Sequence, residues 1–319
     1  MQAVVIKDLC RSYGSRRGIS NVNLTISEGE IFGFLGPIGS GKSTTIRVLM
    51  GLLRANSGTA SIFGKDCWNE GTTIRRDVGY VAGDVRLYPW LTTRLGLVML
   101  SKIRRLKDLL APGLDLVERF RLEPDLPIRK MSRGNRQKVA LVLALAHSPK
   151  LIVLDEPTSG LDPLMQDTLM ACLRELSMKG HTVMISSHTL SEVESLCDHI
   201  AIVRDGRIVE DSTVKRLQAT APRQIVVTLR PDQKIESVRW PNDIKICQLP
   251  GMNGGQVSPL AAPPIELSGL NRTCVLELIG SSASFIAWAA DQNFADITIG
   301  PPSLEMLFRP YYLSHQESV

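Results

Sequence analysis

No stretch of the 319-residue chain comes near the roughly 18 consecutive apolar residues that a membrane-spanning helix needs. The longest candidates, Val139 to Ala146 and Leu151 to Leu154, have the length of core elements. The opening, MQAVVIKDL, has no basic segment followed by a long apolar one, which is the mark of a secretory signal, so the expectation is a cytoplasmic protein. The six cysteines (Cys10, Cys67, Cys172, Cys197, Cys247, Cys274) form no C-x-x-C pair, and no histidine cluster falls at zinc spacing. These absences argue against a zinc ribbon or a dithiol redox centre. The thiols read as reduced and mostly structural.

What is there is an ordinary globular composition with an uneven charge. A hydrophobic fraction of 44% suffices for a sizeable core, and the length suggests about two domains. The net charge of +5 sits in the front part: from Ala221 onward seven Lys and Arg stand against nine Asp and Glu, leaving 30 against 23 before it. A basic face suits ATP, an anionic inner-leaflet surface or nucleic acid, and charge alone does not choose among them.

The densest local signal is Gly36-Pro37-Ile38-Gly39-Ser40-Gly41-Lys42-Ser43-Thr44, a G-x-x-x-x-G-K-S run. Apolar Ile31 to Leu35 precedes it and the helix-like Thr45 to Met50 follows, so it has the strand and helix that a phosphate-binding loop requires. Its glycines let backbone N–H groups turn toward β- and γ-phosphates, the helix N-terminus adds a positive dipole and Lys42 adds a charge. Ser43 is placed to offer a hydroxyl to Mg²⁺. A second signal, Asp155-Glu156, follows the short apolar run Leu151 to Leu154, which reads as a strand buried on both faces. Two carboxylates at the carboxyl end of such a strand fit phosphoryl transfer: Asp155 to hold Mg²⁺ through water, and Glu156 to orient or deprotonate the attacking water.

Strands alternating with helices predict an α/β core. Strands are expected at Ala3 to Ile6, Val22 to Ile26, Ala60 to Phe63, Asp77 to Val81, Thr182 to Ser186 and Ile200 to Val203. Turns are expected at Tyr13-Gly14, Glu28-Gly29, Asn56-Ser57-Gly58 and Asp205-Gly206. A helix is predicted from the N-cap Ser132 through Ala146, and another from Leu164 to Lys179 ending at Gly180. Residues from about Leu91 to Arg129 read as helical, with a basic group at Lys102, Arg104, Arg105 and Lys107. Near Ala219 to Pro222 the pattern changes to a smaller α+β domain: strands Gln224 to Leu229, Ile244 to Gln248, Thr273 to Ile279 and Ala295 to Ile299, a helix Ala283 to Gln292, and a long loop from Pro250 to Pro264 rich in Gly, Pro and Ala. The expected domains are 1–218 and 222–319.

Gly36 to Thr44, Ser132-Arg133-Gly134-Asn135-Arg136-Gln137, Leu151 to Pro157, Ser159-Gly160-Leu161-Asp162 and Ser187-His188 stand in the order seen in ATP-binding cassette (ABC) ATPases, and residues 3 to 215 resemble that family. The tail ending Pro302 to Phe308 resembles, more weakly, the extension of bacterial cassettes serving multidrug and antibiotic exporters. The resemblance implies a parallel-sheet core, an antiparallel β subdomain, a helical subdomain at about 87–130 and a C-terminal accessory domain. It implies ATP hydrolysis with Mg²⁺, a second cassette, identical or not, and a separate integral membrane permease at the cytoplasmic face of the membrane. It also assigns positions: Tyr13 against adenine, the signature Ser132, Arg133, Gly134 and Asn135 on the nucleotide of the second cassette, Asp162 between the two sites, and His188 at the γ-phosphate.

Three departures from the family pattern stand out. Ile38 replaces the usual Asn at a variable position, and Arg133 and Asn135 replace Gly and Gln. Gly83 stands where the family carries a Gln that contacts Mg²⁺ and links the site to the membrane subunit; neighbouring Asp84 is the carboxylate that could take its place. Against the transporter subunit stand a soluble ATPase acting on nucleic acid or the ribosome, suggested by the basic front part, and a weakly hydrolysing regulatory module, suggested by Gly83. No nucleic-acid partner is expected, since the chain has one cassette, no long coiled-coil insertion and no cysteine cluster.

Overall fold

The computed structural model describes residues 1–14, 16–106, 109–233, 238–241, 243–248, 272–279 and 281–313. Lys107 and the Pro250 to Pro264 loop lie outside the described residues. The chain divides into two compact units, Met1–Thr213 and Val214–Val319.

The first unit begins with β1 (Gln2–Tyr13), β2 (Arg16–Ser27), β3 (Ile31–Leu35), α1 (Lys42–Leu49), β4 (Ser57–Ile62), β5 (Lys65–Asp66), α2 (Gly71–Asp77) and β6 (Val78–Val81). It continues through α3 (Thr93–Arg104), α4 (Leu110–Arg119), a 3-10 turn at Ile128–Lys130, α5 (Arg133–Leu145), β7 (Leu151–Asp155), α6 (Pro163–Met178), β8 (Thr182–Ser187), α7 (Leu190–Leu196), β9 (His199–Arg204) and β10 (Arg207–Thr213). One sheet is antiparallel in the order β2-β1-β4-β5, and the other runs β10-β9-β3-β8-β7-β6, parallel except at the β10 edge.

β3, β7 and β8 are buried at every residue, as central parallel strands covered on both faces must be. Phe32 and Phe34 are fully buried, and truncating either to Ala would cost about 3–5 kcal/mol. The register sets Leu35 beside Ser187, Asp155 beside Ser186 and Val81 beside Leu154. The carboxyl ends of β3, β8, β7 and β6 therefore lie along one edge, and the loops that leave them open on the same side.

One local expectation is corrected. Asn56-Ser57-Gly58 is no hairpin turn: β4 already begins at Ser57, which pairs with Cys10, while Asn56 donates its N–H to the Cys10 carbonyl and accepts from Ser12 N–H. Gly58, at φ 81, lies where the β1–β4 register shifts, close against the Asp8 carbonyl. The stretch from about Leu91 to Arg129, expected to be helical, holds two helices and the 3-10 turn. Arg105 and Arg121 follow α3 and α4 in the left-handed region, at φ 55 and 52, and Pro124 and Pro127 bar a further helical run before the 3-10 turn.

The second unit comprises α8 (Val214–Thr220), β11 (Arg223–Thr228), β12 (Ile244–Gln248), β13 (Thr273–Leu278), α9 (Ser282–Ala290), β14 (Asp296–Pro302) and α10 (Leu304–Leu313). Its four strands form an antiparallel sheet, β12-β13-β11-β14. Ile225, Val227, Cys274, Leu276 and Leu278 make a core with Phe285 of α9, and Trp240, Trp288 and Phe294 pack against it. The short helices α2, α7 and α8, and α10, have no counterpart in the sequence expectations. All but α10 span seven residues, too few turns for a clear helical period.

Candidate functional site

The loop between β3 and α1 wraps around Lys42, whose side chain is only 4% exposed. Its Nζ donates to the carbonyls of Gly36 (2.6 Å) and Pro37 (3.1 Å) and lies 3.5 Å from Glu156 Oε1. Burial pulls the ammonium pKa below its ordinary value, and Glu156 opposes that shift. Gly36 has to be glycine: a Cβ there would meet the Val203 carbonyl at 2.2 Å. Gly41 caps α1 at φ 110 and supplies no side-chain cap, so the helix opens at its N-terminus on bare backbone. Ser40 is buried with no hydrogen-bond partner for Oγ, while its carbonyl accepts from Gly206 N–H in the β9–β10 turn at 2.9 Å. Gly39, at φ 83, and Ile38, 84% exposed, form the tip; Ser43 and Thr44 are partly buried in the first turn of α1.

Asp155 and Glu156 are held by one residue. Ser186 Oγ donates to Asp155 Oδ1 at 2.6 Å and accepts from Glu156 N–H at 3.1 Å. Glu156 sits at φ 48, a left-handed conformation that costs a side-chain residue about 1–2 kcal/mol and that its backbone contacts with Ser186 maintain. The Glu156 carboxylate faces Lys42 on one side and His188 Nδ1, at 3.4 Å, on the other. His188 is half exposed on a loop fixed below by Ser187, whose Oγ donates to Glu192 at 2.7 Å and accepts from Thr189 N–H at 2.9 Å. Gly36 N–H donates to the Ser187 carbonyl, tying the two loops together.

The signature residues form a second cluster. Ser132 caps α5 by accepting from Asn135 N–H at 3.2 Å. Arg133 reaches Ser159 Oγ at 3.3 Å, and Gly134 packs so closely on the Gly160 carbonyl that a Cβ would lie 2.5 Å from it. Asp162 caps α6, accepting from Met165 N–H at 3.0 Å. Buried Gln137 donates to the Pro157 carbonyl at 3.1 Å, joining α5 to the strand end that carries Asp155 and Glu156.

Tyr13 ends β1, 40% exposed, with the Arg11 guanidinium 5.3 Å from its ring centre. Asp84, exposed, accepts from exposed Arg86 at 2.8 Å. Gly83 lies beside Asp155, and a Cβ on it would be an ordinary 3.4 Å from Asp155 Oδ2. Sequence reasoning did not single out Ser186 or Gln137 as functional, although both stand inside quoted runs.

A buried lysine in a glycine-shaped loop, a helix opening on bare N–H groups, and an acid pair at the neighbouring strand end define a P-loop ATPase of the cassette type. The ABC transporter family profile matches residues 19–159. The bacitracin transport ATP-binding protein of Bacillus licheniformis is 36% identical over 207 residues, 64% of this chain and 67% of that protein. An uncharacterised ABC transporter ATP-binding protein of Bacillus subtilis is 32% identical over 316 residues, 98% of this chain and 96% of its own length. A dimeric ATP-binding cassette solved in a post-hydrolysis state with ADP and phosphate is similar at a TM-score of 0.59 and 28% identity, covering 66% of this chain and 98% of that one. The chain belongs to the ABC transporter family, as an ATP-binding subunit. Among the described residues no helix is long and apolar enough to cross a membrane.

Proposed function

We infer that this chain powers a separate membrane permease that exports an antibiotic, drug or lipid-like molecule, working at the cytoplasmic face as one half of a cassette dimer. The observation that carries the reading is the joined cluster Lys42–Glu156–His188, placed at the carboxyl edge of the sheet. The bacitracin transport relative supports the substrate class.

In this reading Lys42 and the N–H groups of Gly39 to Thr44 hold the β- and γ-phosphates. Ser43 and buried Asp155 are the residues that would hold Mg²⁺, which neutralises phosphate charge when bound. The acceptor-only carboxylate of Asp155, fixed by Ser186, suits a hard cation. Glu156 orients the attacking water and accepts its proton, and His188 contacts the γ-phosphate. Ser132 to Asn135 contact the nucleotide of the second cassette, so each site is completed by its partner, and Asp162 lies at that boundary. Tyr13 offers an exposed ring for adenine. The permease contacts the segment from Leu87 to Arg129, where Tyr88 and Trp90 stand exposed.

Purification of the chain from detergent-solubilised membranes tests the reading: a multi-span membrane protein should accompany it. RNA or DNA in that place would overturn it. Gly83 beside Asp155 favours a second reading, a weakly hydrolysing module, in which Glu156→Gln would leave steady-state hydrolysis unchanged.

A further inference from the structure

α7 opens with an acid that its own cap does not use. Thr189 is the N-cap and Glu192 stands three residues later, the spacing at which a glutamate ordinarily reaches back to the N-cap backbone N–H. Here Ser187 is threaded between them. The Thr189 N–H donates to Ser187 Oγ at 2.9 Å, and that hydroxyl reaches Glu192 Oε2 at 2.7 Å. The Thr189 carbonyl, at 3.2 Å, is a second acceptor in reach of the same hydroxyl. A hydroxyl has one proton to give, and the shorter bond to a charged acceptor takes it. A lone pair is then left facing the Thr189 N–H.

This relay closes an arch of three residues, Ser187 to Thr189, with His188 at its apex. Ser187, 2% exposed, is held from the other side too, since its carbonyl accepts from Gly36 N–H of the phosphate loop at 3.3 Å. α7 gives Glu192 a fixed base: Val193 is fully buried, and a Cβ on Gly33 of β3 would meet Val193 Cγ1 at 2.2 Å. The half-exposed His188 ring has its Nδ1 3.4 Å from Glu156 Oε2. A ring with that much exposure owes its placement to the backbone that carries it, and here Glu192 stands behind that backbone.

We propose that Glu192 is a positioning residue for ATP hydrolysis: through the Ser187 hydroxyl it fixes the arch that carries His188, and so keeps the imidazole beside Glu156. The proposal rests on the reading of His188 given above, as the γ-phosphate contact, and adds the group that aims it. Because the action is indirect, losing Glu192 shows in turnover and not in nucleotide binding.

Steady-state ATPase assays on the full chain, with His188→Ala as a second background, test this. Glu192→Ala should lower kcat about tenfold or more and leave the KM for ATP unchanged. Glu192→Gln keeps an acceptor oxygen for the hydroxyl and should recover most of the lost rate. In the His188→Ala background, itself slow, Glu192→Ala should cost nothing further, because a group that acts only through His188 has nothing left to place. A residue that merely stabilised α7 would slow both backgrounds alike. Ser187→Ala breaks the same relay and leaves the acid on α7, so it should reproduce both the loss and its silence behind His188→Ala; it decides the matter should Glu192→Ala fail to fold. A wild-type kcat in Glu192→Ala or Ser187→Ala, no recovery by Glu192→Gln, or losses that multiply with His188→Ala overturn the positioning role while a slow His188→Ala still stands. A wild-type rate for His188→Ala overturns the reading of His188 itself, and the proposal with it.

Discussion

Gly134 rests against the carbonyl of Gly160 so closely that one added carbon would lie 2.5 Å from that oxygen. The contact joins the start of α5 to the loop before α6, so the residues proposed to face a second cassette are packed directly on those following Glu156. Gly134→Ala must push the two backbones apart. We expect a loss of about 1–3 kcal/mol in stability, retained nucleotide binding by the single chain, and hydrolysis reduced about tenfold or more. Denaturant unfolding and steady-state ATPase assays check this.

Ser186 holds both acids of the site through one hydroxyl. Ser186→Ala removes a donor from buried Asp155 and an acceptor from the Glu156 backbone. The expected result is a kcat lower by about 10- to 100-fold with little change in the KM for ATP, because Lys42 and its loop are untouched.

A side chain at Gly83 is sterically tolerated, since a Cβ would stand in ordinary contact with Asp155. Gly83→Gln supplies the side chain that the family resemblance leads one to expect at this position. Hydrolysis by the purified chain should rise about tenfold, equal to ~1.4 kcal/mol off the barrier. An unchanged rate would mean that this chain reaches its full turnover without that group.

Legibility in the sequence followed the range of the physics. The phosphate loop and Asp155-Glu156 were readable because glycine, lysine and carboxylates act beside an adjacent strand, within a few residues. Ser186 and Gln137 were not, because their partners Asp155 and Pro157 lie 31 and 20 residues away and only the sheet register or helix packing brings them together. Asn56 to Gly58 has a turn composition, yet pairing with β1 carries β4 through it.

His147 follows α5 with both ring nitrogens buried and unpartnered. Burial, with the Arg104 guanidinium adding to it and Asp77 opposing, pulls its pKa from 6.5 down to about 4. Between these values the unfolded chain binds a proton that the folded one refuses, so stability falls as pH drops from about 6.5 toward 4. Because the ring retains some exposure, screening limits the loss to the order of 1–2 kcal/mol. His147→Gln should flatten that part of the curve in unfolding measured from pH 7 to 4.

The central claim is that two half-sites close around a triphosphate and part when Glu156 directs its hydrolysis. Size-exclusion of the Glu156→Gln chain with and without Mg-ATP tests it most directly. The account predicts a shift from monomer to a stable, ATP-loaded dimer, with turnover reduced at least about a hundredfold relative to wild type. A chain that neither binds Mg-ATP nor pairs in its presence would contradict it.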